Sequence, residues 1–454
     1  MTTQDKFSVD RELDIQAVAA VLLGVVVVTL DVSLTSTAVP AIAKGLGVAA
    51  ASTIWIINGY YLAVVAALLP LAALGEILGH RRVFLAGLSV FVLGSLASAL
   101  TSSLTTLVLG RALVGLGAAA VSATTPALIK SMYPPARLSR GLGLYAMIVG
   151  LAFSVGPTVA SSILAIANWP WLFFATAVMA LCAGAMGMRG LPATSRAARK
   201  FDTWSAALCS AMFACLLFAI ASTAHLGLKQ VVVAFVSFML FGLLLRHREA
   251  RHAAPILAFD LFRRPLFALS AATSICAFAI QGLVFVVLPF LFQLRYGYSQ
   301  VESGFLITPW PVTLALMTLV AAPLSDRVAP GVLGCVGLSC LAGGLVLIAT
   351  MPAAPNALAI AWRLVICGIG FGLFQSPNMV ALMNSAPKER SGSAGGILAT
   401  SRLLGQSLGA AAVAYCLSVS PMSGLTYALW LGAGLGLLGG AISILRLAPA
   451  VRRT

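Results

Sequence analysis

The chemistry open to this chain is concentrated in a few charged residues set among apolar ones. Asp31 stands about midway through the apolar stretch 15–42 and is the sole carboxylate of the sequence that must lie deep within a membrane span. An aspartate at the centre of a membrane helix costs roughly 2.5 to 3.5 kcal/mol on insertion scales, so such residues face polar cavities and mark ion or substrate pathways. A carboxylate there can hold either a proton or a cation. Exposed to the two sides of a membrane in turn, it would couple the two ligands by mutual exclusion. Arg111, in another apolar stretch, needs a partner, and Asp31 is the one intramembrane acid able to provide it. The competing reading is a purely structural ion pair.

Weaker candidates surround this pair. Gln281, Gln375 and Asn378 place amides in apolar stretches, and Asn58, Tyr61, Tyr145, Phe285 and Trp310 could line a pocket with polar or aromatic faces. Aromatic faces attract cations, and such a pocket accepts varied shapes. An amide can equally bond a neighbouring helix, and a tryptophan near a span end can anchor at the interface. The four histidines, 80, 225, 247 and 252, build no metal site: His247 and His252 lie among arginines with Glu249 as the one acidic neighbour. No catalytic cluster emerges, so an enzyme is disfavoured. The eight cysteines show no ligand spacing and read as small buried hydrophobes.

The elements that must position these residues are membrane helices. The chain is 60% hydrophobic and 9% charged with a mean hydropathy of +1.03, more apolar than a water-soluble domain of 454 residues could sustain. At about 20 residues per crossing, fourteen segments emerge near 15–42, 54–74, 83–100, 104–129, 142–166, 171–190, 204–222, 228–245, 266–293, 304–323, 332–351, 358–384, 394–418 and 425–445. The first is too long for a signal-peptide core and reads as a retained span.

Of the 28 Lys and Arg, Arg111, Arg363 and Arg402 fall within spans, Lys44, Lys229 and Arg295 fall in loops on one side, and all others fall on the opposite side. Basic loops stay in the cytoplasm, so both termini are expected there. The net charge of +16 is thereby a topology signal rather than a sign of nucleic-acid binding. Basic linkers flank the pair 204–245, which points to an insertion between two six-helix bundles: 1–190, then 191–265 with the hairpin, then 266–454. A weak repeat supports two halves, since Glu76 with Arg81 and Arg82 follows the second span and Asp326 with Arg327 follows the second span of the later half. Arg111 and Arg363 recur near the start of equivalent helices.

Four motifs resemble the major facilitator superfamily, and within it the fourteen-span drug:proton antiporters. Leu30 to Pro40 is similar to the family's L-D-x-T-x-x-N-x-A-L-P, with Ser33 and Ser36 in place of Thr and Asn. Gly75-Glu76-Ile77-Leu78-Gly79-His80-Arg81-Arg82 resembles its G-D-R-x-G-R-R-R gating loop, with Glu76, Ile77 and His80 departing from the pattern. Leu107, Arg111 and Val114 to Ala119 match the motif with an intramembrane Arg, lacking the usual Gln at 114. Gly156-Pro157 is similar to the antiporters' G-P-x-x-G-G, with Ala160 and Ser161 for the two glycines. The stretches 374–378 and 399–406 resemble late spans of bacterial exporters of quaternary ammonium compounds and viologens.

The resemblance implies a major facilitator fold in the bacterial cytoplasmic membrane; the sequence itself does not fix the oligomeric state, and a monomer is the expectation. It further implies proton-coupled efflux of lipophilic cations, with the proton gradient as the energy source and no cofactor. In this reading Asp31 and Arg111 couple proton and substrate, Glu76, Arg81, Arg82, Asp326 and Arg327 gate, and Gly156 and Pro157 set the direction of export. One proton exchanged for one monovalent cation would be electroneutral. The rivals are a narrow-specificity metabolite exporter of the same fold and a passive facilitator.

Overall fold

The computed structural model describes residues 15–134, 138–194, 196, 201–221, 228–249, 259–325, 327–386, 391–420 and 423–448. Asp326 and many of the basic loop residues lie outside them. Among the described residues there is no strand, as expected where each backbone amide must find its partner within its own segment. Thirteen helices are long and apolar enough to cross a membrane, and a shorter apolar one, Thr203–Ala219, accompanies them.

In chain order, α1 is Ile15–Leu46, α2 the turn Ala50–Thr53 continuing as Trp55–Leu78, α3 His80–Ala99, α4 Leu104–Met132, α5 Leu138–Ile166 and α6 Pro170–Gly190. Then follow α7 Thr203–Ala221 and α8 Leu228–Glu249. The later six are α9 Pro265–Phe290, extended by a π-helical turn Leu291–Arg295, then α10 Gln300–Ile307 continuing as Pro309–Leu324, α11 Pro330–Ala349, α12 Ala357–Ser385, α13 Ser391–Val419 and α14 Ser423–Leu445. Several run past the apolar stretches because caps rather than hydropathy end them. Ser103 accepts from the Thr106 amide to start α4, Asn356 does the same for α12 from Ala359, and Ser299 with Glu302 forms a capping box for α10.

The packing is twofold. In the first six helices α3 meets α4, α2 meets α4, α1 meets α5 and α6, and α3 meets α6; the last six repeat each pairing as α11 with α12, α10 with α12, α9 with α13 and α14, and α11 with α14. The seams between halves obey the same symmetry: α5 packs on α10, and α2 packs on α13. Small residues permit the close crossings, Gly117 against the Gly87 and Phe91 backbone in one half and Gly370 against the Gly337 and Leu341 backbone in the other. The molecule is thus two six-helix bundles with a two-helix insertion.

The α7–α8 hairpin breaks the symmetry, because α7 covers the α2–α13 seam and leaves the α5–α10 seam bare. One hydrogen bond explains where it docks. Pro70 in α2 has no N–H for the Ala66 carbonyl one turn back, and the Ser210 hydroxyl of α7 donates to that carbonyl at 2.8 Å. Asp202 caps α7 through the Trp204 and Ser205 amides and takes both prongs of Arg248 at 3.0 and 3.1 Å, tying the hairpin's two ends. Partial burial acts to raise the Asp202 carboxyl, but Arg248 and Ser205 outweigh it and hold it below the usual carboxylate range. Cys182 departs from the buried role expected of the cysteines: it sits on the exposed outer face of α6, where lipid rather than protein would cover it.

Candidate functional site

Asp31 projects from α1 into the interior of the first bundle, where the Arg111 guanidinium of α4 donates to both its oxygens at 3.0 and 2.7 Å. Each residue is 1% exposed. The Thr176 hydroxyl of α6 stands 3.5 Å from the same carboxylate. The Arg111 guanidinium also lies over the rings of Tyr60 and Phe173, at 5.0 and 5.4 Å from their centroids, so aromatic faces as well as a carboxylate surround the cation. Its Nε finds no partner among the described residues. Removing one member of such a pair leaves a buried charge uncompensated, which is far more costly than the pair itself.

Gly156 and Pro157 meet α1 two residues past Asp31, at Ser33. Proline at 157 withdraws the N–H that would have met the Phe153 carbonyl, and the Ser33 hydroxyl, two residues past Asp31, donates to that carbonyl at 2.9 Å. Gly156 makes this possible, since a Cβ there would overlap the Ser33 side chain. On the side of α5 that faces the second bundle, the Pro157 carbonyl lies against Gly304 of α10, where a Cβ would collide with the Ser161 hydroxyl. Thr158 and Thr308 are hydrogen bonded at 2.9 Å, and Ser161 donates to the Gln300 carbonyl at 3.4 Å. The α5–α10 seam is therefore zipped by small polar side chains at the end remote from Arg81 and Arg82.

The segment resembling a gating loop is barely a loop. α2 runs to Leu78 and α3 begins at His80, so the link is Gly79 alone, at φ +98; a side chain would be strained there. Arg81 donates to the Met188 carbonyl of α6 at 2.6 Å, fastening α3 to the end of its own bundle. Glu76 and Arg82 are exposed, as is Arg327 after α10. Asp326 lies outside the described residues.

The centre of the second bundle is neutral. Gln406 of α13 donates its amide to the Gln281 side-chain oxygen of α9 at 3.0 Å, both buried. Beside them runs an aromatic ladder: Phe153 of α5 meets Phe285 edge-on at 4.8 Å, Phe285 meets Trp310 at 5.9 Å, and Trp310 meets Phe371 at 6.5 Å. Trp310 is fully buried, so it is no interfacial anchor, and its indole N–H has no acceptor among the described residues. Asn378 is not free to line a central pocket. Its amide is spent on Ser270 and Ser274 of α9, and its oxygen accepts from Arg446 at 2.7 Å. Gln375 is half-buried, Tyr61 is buried edge-on against Tyr60, and Asn58 is buried with an unpartnered oxygen.

Tyr145 lines a crevice of about 20 Å³ between the halves, with Val25, Val28 and Thr29 of α1, Val121 and Ser122 of α4, Val149 of α5 and Arg402 of α13. That volume holds a water, not a drug-sized molecule. Sequence reasoning singled out neither Gln406 nor Arg402 as a site residue, nor Arg446 or Ser33. A signal for Ser33 existed: the proline in α5 obliges some donor to meet the Phe153 carbonyl, but which helix supplies it is a tertiary fact.

A bundle pair of this symmetry, with buried polar residues at the centre of each half, defines a membrane transporter. The family model for the Major Facilitator Superfamily matches residues 21–410, and the chain belongs to that superfamily. It is 40% identical over 95% of both chains to an uncharacterized transporter, YebQ, of Escherichia coli. It is 31% identical, over 86% of this chain and 74% of the relative, to a tetracenomycin C resistance and export protein of Streptomyces glaucescens. A riboflavin transporter, RibZ, of Clostridioides difficile is 26% identical over 86% and 85%. A crystal structure of a POT family transporter shares the fold, with a TM-score of 0.73 over 96% of each chain at 14% identity.

Proposed function

We propose that this protein exports lipophilic small molecules across the bacterial cytoplasmic membrane in exchange for protons, with both termini cytoplasmic. The observation that carries this is the Asp31–Arg111 pair: a carboxylate wholly withdrawn from solvent, on the helix that meets α5 beside the zipped seam. Rocking of the halves about the centre would open the α5–α10 zipper and move Ser33 relative to Phe153, shifting α1 and so Asp31. Proton uptake by Asp31 would break the pair with Arg111, and restoring the pair would release the proton. The monomer, with its two halves, suffices for this cycle, and no cofactor takes part.

Gly156 and Pro157 support export, through the antiporter resemblance and through their place at the zipper. The quaternary ammonium resemblance and the Phe153–Phe285–Trp310 ladder favour lipophilic cations, and the resistance and export protein among its relatives is in keeping with a drug. A narrow metabolite exporter is the second reading, favoured by the riboflavin transporter among its relatives, matched over 86% of this chain.

The test is reconstitution in liposomes with a pH gradient and a lumenal pH dye, comparing wild type with Asp31→Asn. Substrate-triggered proton movement lost in the variant supports coupling through Asp31. Uptake of substrate without proton movement in the wild type would show a passive carrier and sink the proposal.

A further inference from the structure

The charge presented to the crevice between the halves is positive. Asp31 and Arg111 neutralise one another inside the first bundle. Arg402 enters the crevice from the second, and among the described residues it makes no hydrogen bond and no ion pair. An unpaired guanidinium within a membrane span is costly and persists where function requires it. Around it stand hydroxyls from Thr29, Ser122 and Tyr145, and four valines. Val28 and Thr29 stand on α1 within one turn of Asp31, so the crevice adjoins the ion pair rather than standing apart from it.

We infer that this crevice, once the halves part, is the binding site for the anionic group of an amphipathic substrate, a carboxylate or sulfonate paired with Arg402 while its apolar body meets the valines. Guanidinium and carboxylate match as forks, and the hydroxyls complete the oxygens' hydrogen bonding. The inference rests on the transport reading above and replaces its cationic substrate with an anionic one. It also changes the electrical balance. One proton entering as one monovalent anion leaves moves two charges in the same sense, so an inside-negative potential accelerates export, whereas exchange for a monovalent cation moves none.

Equilibrium binding in phosphatidylcholine nanodiscs separates the two proposals, because it requires no coupling. The probes are 2-naphthoate and its matched cation 2-naphthylmethylammonium, on wild type, Arg402→Gln and Arg402→Lys, with thermal unfolding confirming that each variant folds. The expected result is naphthoate binding at least tenfold tighter than the ammonium, a tenfold or greater loss in Arg402→Gln, and partial retention in Arg402→Lys. Asp31→Asn should abolish proton movement while naphthoate binding remains measurable. Equal or tighter binding of the ammonium, naphthoate affinity unchanged in Arg402→Gln, or no naphthoate binding at all overturns the inference and leaves proton coupling to stand on the liposome assay. Nanodiscs with anionic phosphatidylglycerol form the control arm: abolition of naphthoate binding there would assign Arg402 to a lipid headgroup and equally overturn it.

Discussion

The two halves repeat one another's packing and part company at their centres. In the first, α1 and α4 meet through a carboxylate and a guanidinium, with two aromatic rings against the cation. In the second, α9 and α13 meet through two neutral amides flanked by an aromatic ladder. The equivalent arginines diverge likewise. Arg111 takes a carboxylate, while Arg363, near the start of α12, donates to the Leu347 and Ala359 carbonyls and stacks on Trp362 at 4.3 Å. A duplicated scaffold has thus kept its helix contacts and separated its chemistry. The buried ion pair lies in one half, and the neutral amide pair with its aromatic neighbours in the other.

Substitutions should feel that difference. Arg111→Ala strands a buried carboxylate and should cost about 3 to 5 kcal/mol of stability, read as a steep fall in thermal unfolding temperature in detergent. The double variant Asp31→Asn with Arg111→Gln should recover much of it. If the single and double variants unfold alike, the pair is not the electrostatic unit described here. The corresponding Arg363→Ala, which leaves only carbonyls behind, should cost markedly less.

Gly304→Val tests the seam that joins the halves. Its side chain would drive Ser161 and the Pro157 carbonyl apart, with an overpacking cost of about 1 to 3 kcal/mol and a fall in transport of tenfold or more, measured as flux in liposomes. Unchanged flux would show that zipping this seam is not part of the cycle.

In the second half, Gln281→Leu alone should cost about 1 to 3 kcal/mol by leaving Gln406 unsatisfied, whereas Gln281→Leu with Gln406→Leu should be nearly neutral. A double-mutant cycle on unfolding measures the coupling, and additivity would refute the pairing.

The smallest effect belongs to the hairpin. Arg248→Gln should cost about 0.2 to 1 kcal/mol, as exposed ion pairs do. Because Asp202 is held below its unfolded value of about 3.9, its contribution is present above that pH and fades as pH falls beneath it. The variant and wild type should therefore unfold alike in strong acid and differ near neutrality.

Much of this was legible in the sequence for a physical reason: lipid accepts few backbone solutions. Apolar length gave the helices, and the rarity of intramembrane charge singled out Asp31 and Arg111, whose meeting follows from the absence of another acid in the spans. Helix ends were less legible, because Asn356 and Ser299 act through capping that hydropathy does not record. Pocket residues were least legible. Asn378 looked like a lining amide until Arg446, remote in sequence, proved to hold it, and burial pushes that guanidinium down to about 10.

By itself the sequence determined the class of environment, the number and order of the helices and the identity of the titratable pair, since these depend on local hydropathy and on the cost of burying charge. Tertiary structure alone decided which polar groups satisfy one another. That Ser33 and Ser210 repair the carbonyls left by Pro157 and Pro70, that the hairpin covers one seam and not the other, and that Arg402 finds no hydrogen-bond or ion-pair partner among the described residues are facts of packing. Each depends on which helix faces which, and residues more than a hundred positions apart carry no local signal of that.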